Sequence, residues 1–403
     1  MIRGTGVIAA ATGVQVISTL ATLILPAIAP IAARALGIDA GLIGLQVSLV
    51  YGVAMVASLF GGPMVSNLGA CRTSQLGLLL VTGGCLLASL AMIPAIALPA
   101  LALASIVLGM AYGLPNPAAA HLLVRFTDPA HRNLIFSLKQ TGVPLGGMLA
   151  GLIGPGLAEW LGWQAPLLLC AVLALGLATS LQPWRTHWDS DRMRGGKAPK
   201  LPVEAIRLVF GQPALRLLSL SAFLLAGIQL CIVTFLVVIL VEDLGYSPIH
   251  AGIMLASVQV AGAVGRVGWG MLADRLGNGA GTLLILLTLL AVTALAVTQI
   301  TAATPAGLTT GLFLLLGATG ISWNGIFLAE VARRAPEGRA GDVTSAALFL
   351  TYMGVLVGPA LFSAVGGQLD SFLPLYGALA LATVLAFVMV RSAQRRGGGK
   401  EGI

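Results

Sequence analysis

Apolar runs of about twenty residues alternate with short polar segments along nearly the whole chain. An α-helix of that length crosses the hydrocarbon core of a bilayer, so each run predicts one transmembrane helix. The pattern therefore predicts an all-α membrane protein of twelve spans. Their approximate bounds are 9–33, 41–65, 74–94, 99–124, 133–157, 165–183, 213–240, 249–273, 280–301, 305–331, 344–366 and 374–391.

The composition agrees with this prediction. Of the 403 residues, 58% are hydrophobic and only 9% are charged, whereas a soluble chain carries about 25% charged residues. The 52 glycines suit close helix packing in lipid. The four cysteines have neither metal-ligand spacing nor a secreted disulfide pattern, so we expect no metal and no cofactor. The sequence also lacks a nucleophile–base constellation and an ATP-binding loop, so it predicts no enzyme.

The basic residues predict the orientation of the spans. Of the 22 Lys and Arg, 19 fall on the predicted side of the two termini and one, Arg34, falls on the other side. The positive-inside rule then places both termini in the cytoplasm. It also explains the net charge of +8 without a nucleic-acid partner. We expect a multi-pass, monomeric protein of the bacterial cytoplasmic (inner) membrane, with the lipid bilayer as its surroundings.

One long polar segment divides the chain near its middle and predicts three parts. These are an N-terminal six-helix bundle at 1–183, a cytoplasmic linker at 184–212 and a C-terminal six-helix bundle with a short basic tail at 213–403. Within the linker, residues 203–208 could form a short interfacial helix.

The two parts repeat each other at a constant offset of 208 residues. Examples are Gly62 with Gly270, and Asn116 with Asn324. A register held across four spans predicts two pseudo-symmetric bundles, and parallel repeats of this kind place a substrate site between the halves near the midplane.

A loop between spans eight and nine carries a specific motif. Its residues 270–277 read G-M-L-A-D-R-L-G. This string resembles the signature loop of the major facilitator superfamily (MFS), whose members are secondary transporters with twelve helices. The resemblance implies that Gly270, Asp274, Arg275 and Gly277 help form a cytoplasmic gate, with the acid against a helix N-terminus.

The corresponding first-half loop, at 62–69, keeps the glycines of this motif. It has Ser66 and Asn67 in place of the acid and the base. A gate in the first half is therefore expected to be weaker or to be latched differently.

Two basic residues fall inside predicted spans. Arg266 lies ~12 Å from the cytoplasmic end of span eight and cannot lose its charge there. Such a buried cation needs compensation, and an anionic substrate would supply it. The surrounding residues resemble span eight of monocarboxylate transporters and nitrate/nitrite porters, although the first-half counterpart is Ser58. The alternative is a structural pair with a neighbouring helix.

Lys139 lies ~9 Å into span five, followed by Gln140 and Thr141, and could line the same cavity. Alternatively it snorkels to the cytoplasmic surface. Further polar residues could complete a substrate site or could simply bond between helices. They are Gln15, Gln46, Tyr51, Asn116, Gln229, Gln259, Asn324 and Tyr352.

Two further residues are candidates for proton coupling. Glu330 could carry a proton or could pair locally with Arg333, one turn away. His121 could titrate or could be a packed histidine at a helix end.

Together these features predict a symporter that takes up a small organic anion, a carboxylate, with protons by alternating access. The alternative is a proton-coupled drug or metabolite efflux antiporter of the same superfamily. A third possibility is a non-transporting receptor or scaffold, but such a protein would have no function for a charged arginine at position 266 inside a span.

Overall fold

The computed structural model describes residues 4–93, 96–127, 139–192, 203–336 and 340–397. All regular secondary structure of these residues is helical, as predicted. The first residues of predicted span five, 133–138, lie outside the described residues. So do seven basic residues of the orientation argument: Arg3, Arg132, Arg194, Lys197, Lys200, Arg339 and Lys400.

The chain divides into two compact units. Unit 1 comprises Met1–Lys200 with Pro248–Ala256, and unit 2 comprises Leu201–Ser247 with Ser257–Ile403. The start of the predicted linker, residues 184–192, therefore belongs to unit 1.

The first part of the chain forms nine α-helices among its described residues. They are α1 (Thr5–Ala27), α2 (Ala29–Leu36), α3 (Ile43–Leu68), α4 (Ala70–Ser89), α5 (Ala97–Gly113), α6 (Pro115–Phe126), α7 (Gly142–Leu161), α8 (Ala165–Ser180) and α9 (Arg185–Trp188).

The described residues from 203 onward form eight further α-helices. They are α10 (Val203–Gly211), α11 (Pro213–Val238), α12 (Pro248–Leu276), α13 (Gly279–Val297), α14 (Ala306–Gly320), α15 (Asn324–Arg334), α16 (Ala340–Gly366) and α17 (Leu375–Gly397). The predicted helix at 203–208 is thus present as α10, and a π-helical turn, Ile239–Asp243, extends α11.

Eleven helical segments of the described residues are long and apolar enough to cross a membrane. The remaining predicted span contains α7, which is rich in glycine and proline and is not among the eleven. The chain is thus a multi-pass membrane protein. The count of twelve and the side on which the termini lie stay predictions.

Predicted spans four and ten are each interrupted. In span four the helix breaks at Leu114, because Pro115 has no N–H and its ring displaces the preceding carbonyls. In span ten the break lies at 321–323 and contains no proline. There the Thr319 hydroxyl donates to the Leu315 carbonyl at 2.7 Å, a back-bond that bends helices. Both breaks free backbone carbonyls and amides inside an apolar span.

Candidate functional site

A buried ammonium group lies in unit 1. The Lys139 side chain is 3% exposed, and its Nζ donates to Gln15 Oε1 at 2.8 Å. It also donates to Asn116 Oδ1 and, more weakly, to Gln140 Oε1 at 3.4 Å. Lys139 therefore does not snorkel to the surface. It is bonded to neutral amide oxygens from α1, from α6 and from its own neighbour.

Each amide has a local reason to face the lysine. Gln15 is 1% exposed, and its Nε2 donates to Thr19 Oγ1 at 3.2 Å, which directs its oxygen toward Nζ. Asn116 lies in the first turn of α6, immediately after the break at Leu114. The interruption thus places a polar side chain beside the ammonium group in the interior of the span.

The glycine that follows Lys139-Gln140-Thr141 permits the close approach of α7 to α1. A Cβ at Gly142 would lie 2.9 Å from Gln15 Cβ and 3.0 Å from the Thr12 carbonyl oxygen. The first distance is shorter than real Cβ contacts and the second is tighter than most of them, so glycine lets Gln15 come close enough to reach Lys139.

We call Gln15, Asn116, Lys139 and Gln140 the lysine cluster. Its positive charge is not balanced by an acidic side chain in the part of the chain that the structure describes. Within the described residues, no carboxylate lies within ion-pair distance of Lys139. Removing an ammonium ion from water costs several kcal/mol even after relaxation. Hydrogen bonds to neutral amides offset part of that cost, and an anion would offset more. Gln140 and Thr141, both exposed, flank the buried ammonium group.

Arg266, in unit 2, is half-buried on α12. Its Nη2 donates to the Ile321 carbonyl oxygen at 3.1 Å, which the break in span ten has freed. The same break is fixed by Ser322, whose hydroxyl donates to the Gly262 carbonyl oxygen at 2.9 Å. The guanidinium thus bonds to backbone at the interruption, and substrate binding by Arg266 stays a prediction.

The symmetric partner of Asn116 makes a different contact. Asn324 Nδ2 donates to Gln229 Oε1 at 3.1 Å, and Trp323 Nε1 donates to the same oxygen at 3.0 Å. The two asparagines thus occupy equivalent places after a helix break. Only Asn116 bonds to a cation.

The other predicted binding residues lie outside the lysine cluster. The ring of Tyr51 is buried and packs edge-on against Tyr112, with 5.2 Å between the ring centroids. Gln259 is buried and Tyr352 is half-buried on their helices. A substrate role for these three residues stays a prediction.

Glu330 is in a salt bridge, and His121 is in contact with a carboxylate. Glu330 is 4% exposed, and its carboxylate bonds to Arg333, at 2.8 Å, and to Arg334. These arginines are three and four residues away, on the same helix face. His121 is exposed, and its Nε2 lies 2.7 Å from Asp191 Oδ2. Neither belongs to the lysine cluster, and their role in proton coupling stays a prediction.

The predicted gate loop ends α12. Gly277 has φ +58°, which allows the chain to turn sharply before α13. Asp274 and Arg275 are exposed, and no salt bridge within the described residues includes either of them. Gly270 lies on α12, two turns before its end.

In the first half, the acid that loop 62–69 lacks is replaced by a carboxylate from another segment, which lies at the N-terminus of α4. Asp189, just after α9, accepts hydrogen bonds from the backbone N–H of Cys71, at 2.7 Å, and of Arg72, at 3.1 Å, in the first turn of α4. Gly69, with φ +96°, leaves the room that this carboxylate fills. The sequence did not identify Asp189, although the missing acid of loop 62–69 was a signal that one must come from another segment.

Burial raises the pKa of the Asp189 carboxyl above its ordinary value, and the two backbone N–H groups and Arg185 oppose that rise. Beside it, Arg125 bonds to Asp191 and donates to the Trp188 carbonyl oxygen at 3.1 Å. These contacts attach residues 185–191 to the first turn of α4 and to the last turn of α6.

Comparison with known proteins gives a consistent picture. The sequence profile described as "Major Facilitator Superfamily" matches residues 11–359. An uncharacterised MFS-type transporter of Mycobacterium tuberculosis is 30% identical over 173 residues, which is 42% of this chain and 37% of that protein. A 3-(3-hydroxy-phenyl)propionate transporter of Escherichia coli is 28% identical over 238 residues, which is 59% of this chain and 55% of that protein. The chain thus spans about half or less of these curated relatives.

Solved structures share the fold. A bacterial homologue of the human lysosomal transporter Spinster, inward-facing and occupied, is similar with a TM-score of 0.77 at 16% identity over 97% of each chain. The peptide transporter POT in complex with sulfate is similar with a TM-score of 0.76 at 16% identity, over 97% of this chain and 95% of that one. At this identity the likeness concerns the fold alone.

Proposed function

The chain belongs to the Major Facilitator Superfamily, and on that premise we propose that it takes up a small organic anion of the carboxylate class. That it is a membrane transporter of small molecules, and not an enzyme, follows from the family and its relatives. The proposal adds the substrate class, the direction, coupling to protons and a site in the bacterial cytoplasmic membrane. Alternating access between two exposed states would move the anion.

The observation that carries the proposal is the buried ammonium group of Lys139 with its amide partners. A cation that is 3% exposed and bonded to neutral oxygens lacks most of the compensation that an ion pair would give. A carboxylate about 4 Å from Nζ would contribute about 4 kcal/mol at an effective dielectric constant of about 20. The cluster is therefore suited to an anionic ligand and would repel a cationic one.

Two further observations support an organic anion. The name of the Escherichia coli relative specifies a substituted propionate, which is a carboxylate. Arg266 supplies a permanent cation in unit 2, at the interruption of span ten. We retain Arg266 as a second anion-binding candidate, with Lys139 ahead of it because Lys139 is the more deeply buried.

Proton coupling is part of the proposal, and Glu330 and His121 remain its candidates. Glu330 pairs with two arginines, and His121 Nε2 lies 2.7 Å from Asp191 Oδ2. A proton could therefore alter the packing of α15 or α6 without entering the lysine cluster.

Uptake of labelled small carboxylates into proteoliposomes tests this function. Under an inward proton gradient the wild-type protein should accumulate the substrate, and Lys139→Gln should lose at least tenfold in kcat/KM, which corresponds to about 1.4 kcal/mol. Lys139→Arg keeps the charge and should retain part of the activity. Arg216→Gln removes an exposed charge at the start of α11 and serves as the control.

Equal uptake by Lys139→Gln and wild type would contradict the proposed site. Export of dyes or metabolites against the proton gradient, with no carboxylate uptake, would instead indicate the efflux antiporter. Arg266→Gln, measured in parallel, reports whether the second cation contributes to affinity or to turnover.

A further inference from the structure

A second polar pocket lies in unit 1, remote in sequence from Lys139. It has a volume of about 330 Å³ and lies between the first turns of α4 and the end of α8. Its lining consists of one basic residue, two amides, one hydroxyl and two apolar residues: Arg72, Gln75, Leu79, Ala178, Thr179 and Gln182. None of these side chains has a part in the proposed transport site.

A buried amide fixes the arginine to the wall of this pocket. Gln75 is 3% exposed, and its Nε2 donates to the Ala178 carbonyl oxygen and to Gln182 Oε1, both at 2.9 Å. Its own Oε1 accepts from Arg72 Nη1 at 3.2 Å. The guanidinium is therefore positioned by a hydrogen-bond network that links α4 to α8.

This network holds the charge of Arg72 but does not neutralise it. Among the described residues, no carboxylate lies within ion-pair distance of its guanidinium. Asp189 accepts from the Arg72 backbone N–H instead. A guanidinium has five N–H donors in a planar arrangement that matches a phosphate group, so the pocket retains donors for such a ligand.

The pocket also has an apolar side. Leu79 is exposed and lies seven residues after Arg72, ~10 Å along the helix axis. Trp184 is not part of the lining, but it follows Gln182 by two positions, is exposed and stacks on Trp188 with 5.8 Å between ring centroids, as expected for an aromatic residue at a membrane surface. A polar, cationic end beside an exposed apolar wall matches a phospholipid, with its headgroup at Arg72 and its acyl chain along Leu79.

We propose that this pocket binds the phosphate of an anionic phospholipid headgroup, in the leaflet on the side of the chain termini. The apolar wall at Leu79 favours a lipid over free phosphate, which would use only the polar end. Basic pockets between helices on the cytoplasmic side are suited to such headgroups.

Native mass spectrometry of the detergent-purified full chain, titrated with phosphatidylglycerol, tests the proposal. Arg72→Ala should weaken phosphatidylglycerol binding about fivefold, the factor expected for one basic residue at an anionic lipid surface. Arg391→Ala removes an exposed charge from α17 and should leave the affinity unchanged. Phosphatidylcholine, whose headgroup carries no net charge, should bind more weakly to wild type and respond less to Arg72→Ala.

A second pair of variants keeps the test valid if Arg72→Ala does not fold. Gln182→Glu keeps the acceptor for Gln75 and adds a negative charge to the pocket wall, so it should also weaken binding. Ser180→Glu adds the same charge at an exposed position of α8 outside the pocket lining and is the control.

Three results would overturn the proposal. Equal losses for Arg72→Ala and Arg391→Ala would indicate a general charge effect. Equal losses for Gln182→Glu and Ser180→Glu would indicate the same. Binding of inorganic phosphate that depends on Arg72, without any preference for phosphatidylglycerol over phosphatidylcholine, would indicate a free-phosphate site.

Discussion

The crossing of α1 and α7 gives the sharpest prediction, because it supports the lysine cluster. Gly146 faces α1 so closely that a Cβ there would lie 2.6 Å from the Val16 carbonyl oxygen, 2.7 Å from Thr19 Cβ and 2.9 Å from the Leu20 backbone nitrogen. Two of these atoms belong to backbone and cannot rotate away. Gly146→Ala therefore requires α1 to move by about 0.8 Å before an ordinary contact is restored.

The expected cost follows from two opposing effects. Overpacking of this kind costs about 1–3 kcal/mol, and alanine recovers up to about 1 kcal/mol of helix propensity. Since backbone atoms form the obstacle, we expect a net loss of about 1–2 kcal/mol in the free energy of unfolding. The displacement of α1 also moves Gln15 relative to Lys139, so transport should fall as well.

The assay is reversible denaturation in mixed detergent micelles, followed by tryptophan fluorescence. Gly156→Ala, on the same helix, is the matched control, because no atom beyond the local backbone of α7 lies within 4 Å of its added Cβ. The control should be unchanged or about 0.5–1 kcal/mol more stable. If Gly146→Ala is as stable as Gly156→Ala, the close packing of α1 on α7 does not hold this part of the protein together.

Three further predictions concern contacts away from the lysine cluster. Burial raises the pKa of Asp189 in the folded protein, so the free energy of unfolding should fall as the pH rises from about 4 through the raised pKa. Asp189→Asn should remove this pH dependence of the free energy of unfolding, which thermal unfolding at stepwise pH would measure. Gly69→Ala should lower the free energy of unfolding by more than about 1 kcal/mol, because the backbone angle of φ +96° and the Asp189 carboxylate both exclude a side chain. Thermal unfolding should then show a lower melting temperature. Gln229→Leu should lower the free energy of unfolding by about 1–3 kcal/mol, because it leaves the buried Nε1 donor of Trp323 unpaired together with the half-buried Asn324 Nδ2, as thermal unfolding would measure.

Helix identity and much of the architecture could be predicted from the sequence because these depend on local properties. The hydrophobic runs predicted an all-helical membrane protein, and motif 270–277 indicated the superfamily to which the chain belongs. Neither helix break was predicted: Pro115 is a local signal from which the break in span four could have been inferred, whereas the break at 321–323 has no proline.

The candidate site was only partly predictable. The sequence identified Lys139 and Arg266 as buried cations, because charge within an apolar run is visible locally. Arg266 was the stronger candidate at that stage, because it cannot lose its charge and its surroundings resemble span eight of anion transporters, whereas Lys139 could snorkel. In the structure Lys139 is more deeply buried than Arg266, a difference that depends on the neighbouring helices and not on position along a span. Gln15 and Lys139 are 124 residues apart, and no periodicity relates them.

The sequence by itself determined which segments enter the membrane, because the transfer of apolar side chains into lipid depends on composition and length alone. Only the tertiary structure decided which polar groups meet inside it. Asp189 and Cys71 are 118 residues apart, yet the carboxylate accepts from the backbone N–H groups of Cys71 and Arg72 in the first turn of α4. Such pairings are long-range because each results from the packing of whole helices. The spacing of residues along the chain therefore does not predict them.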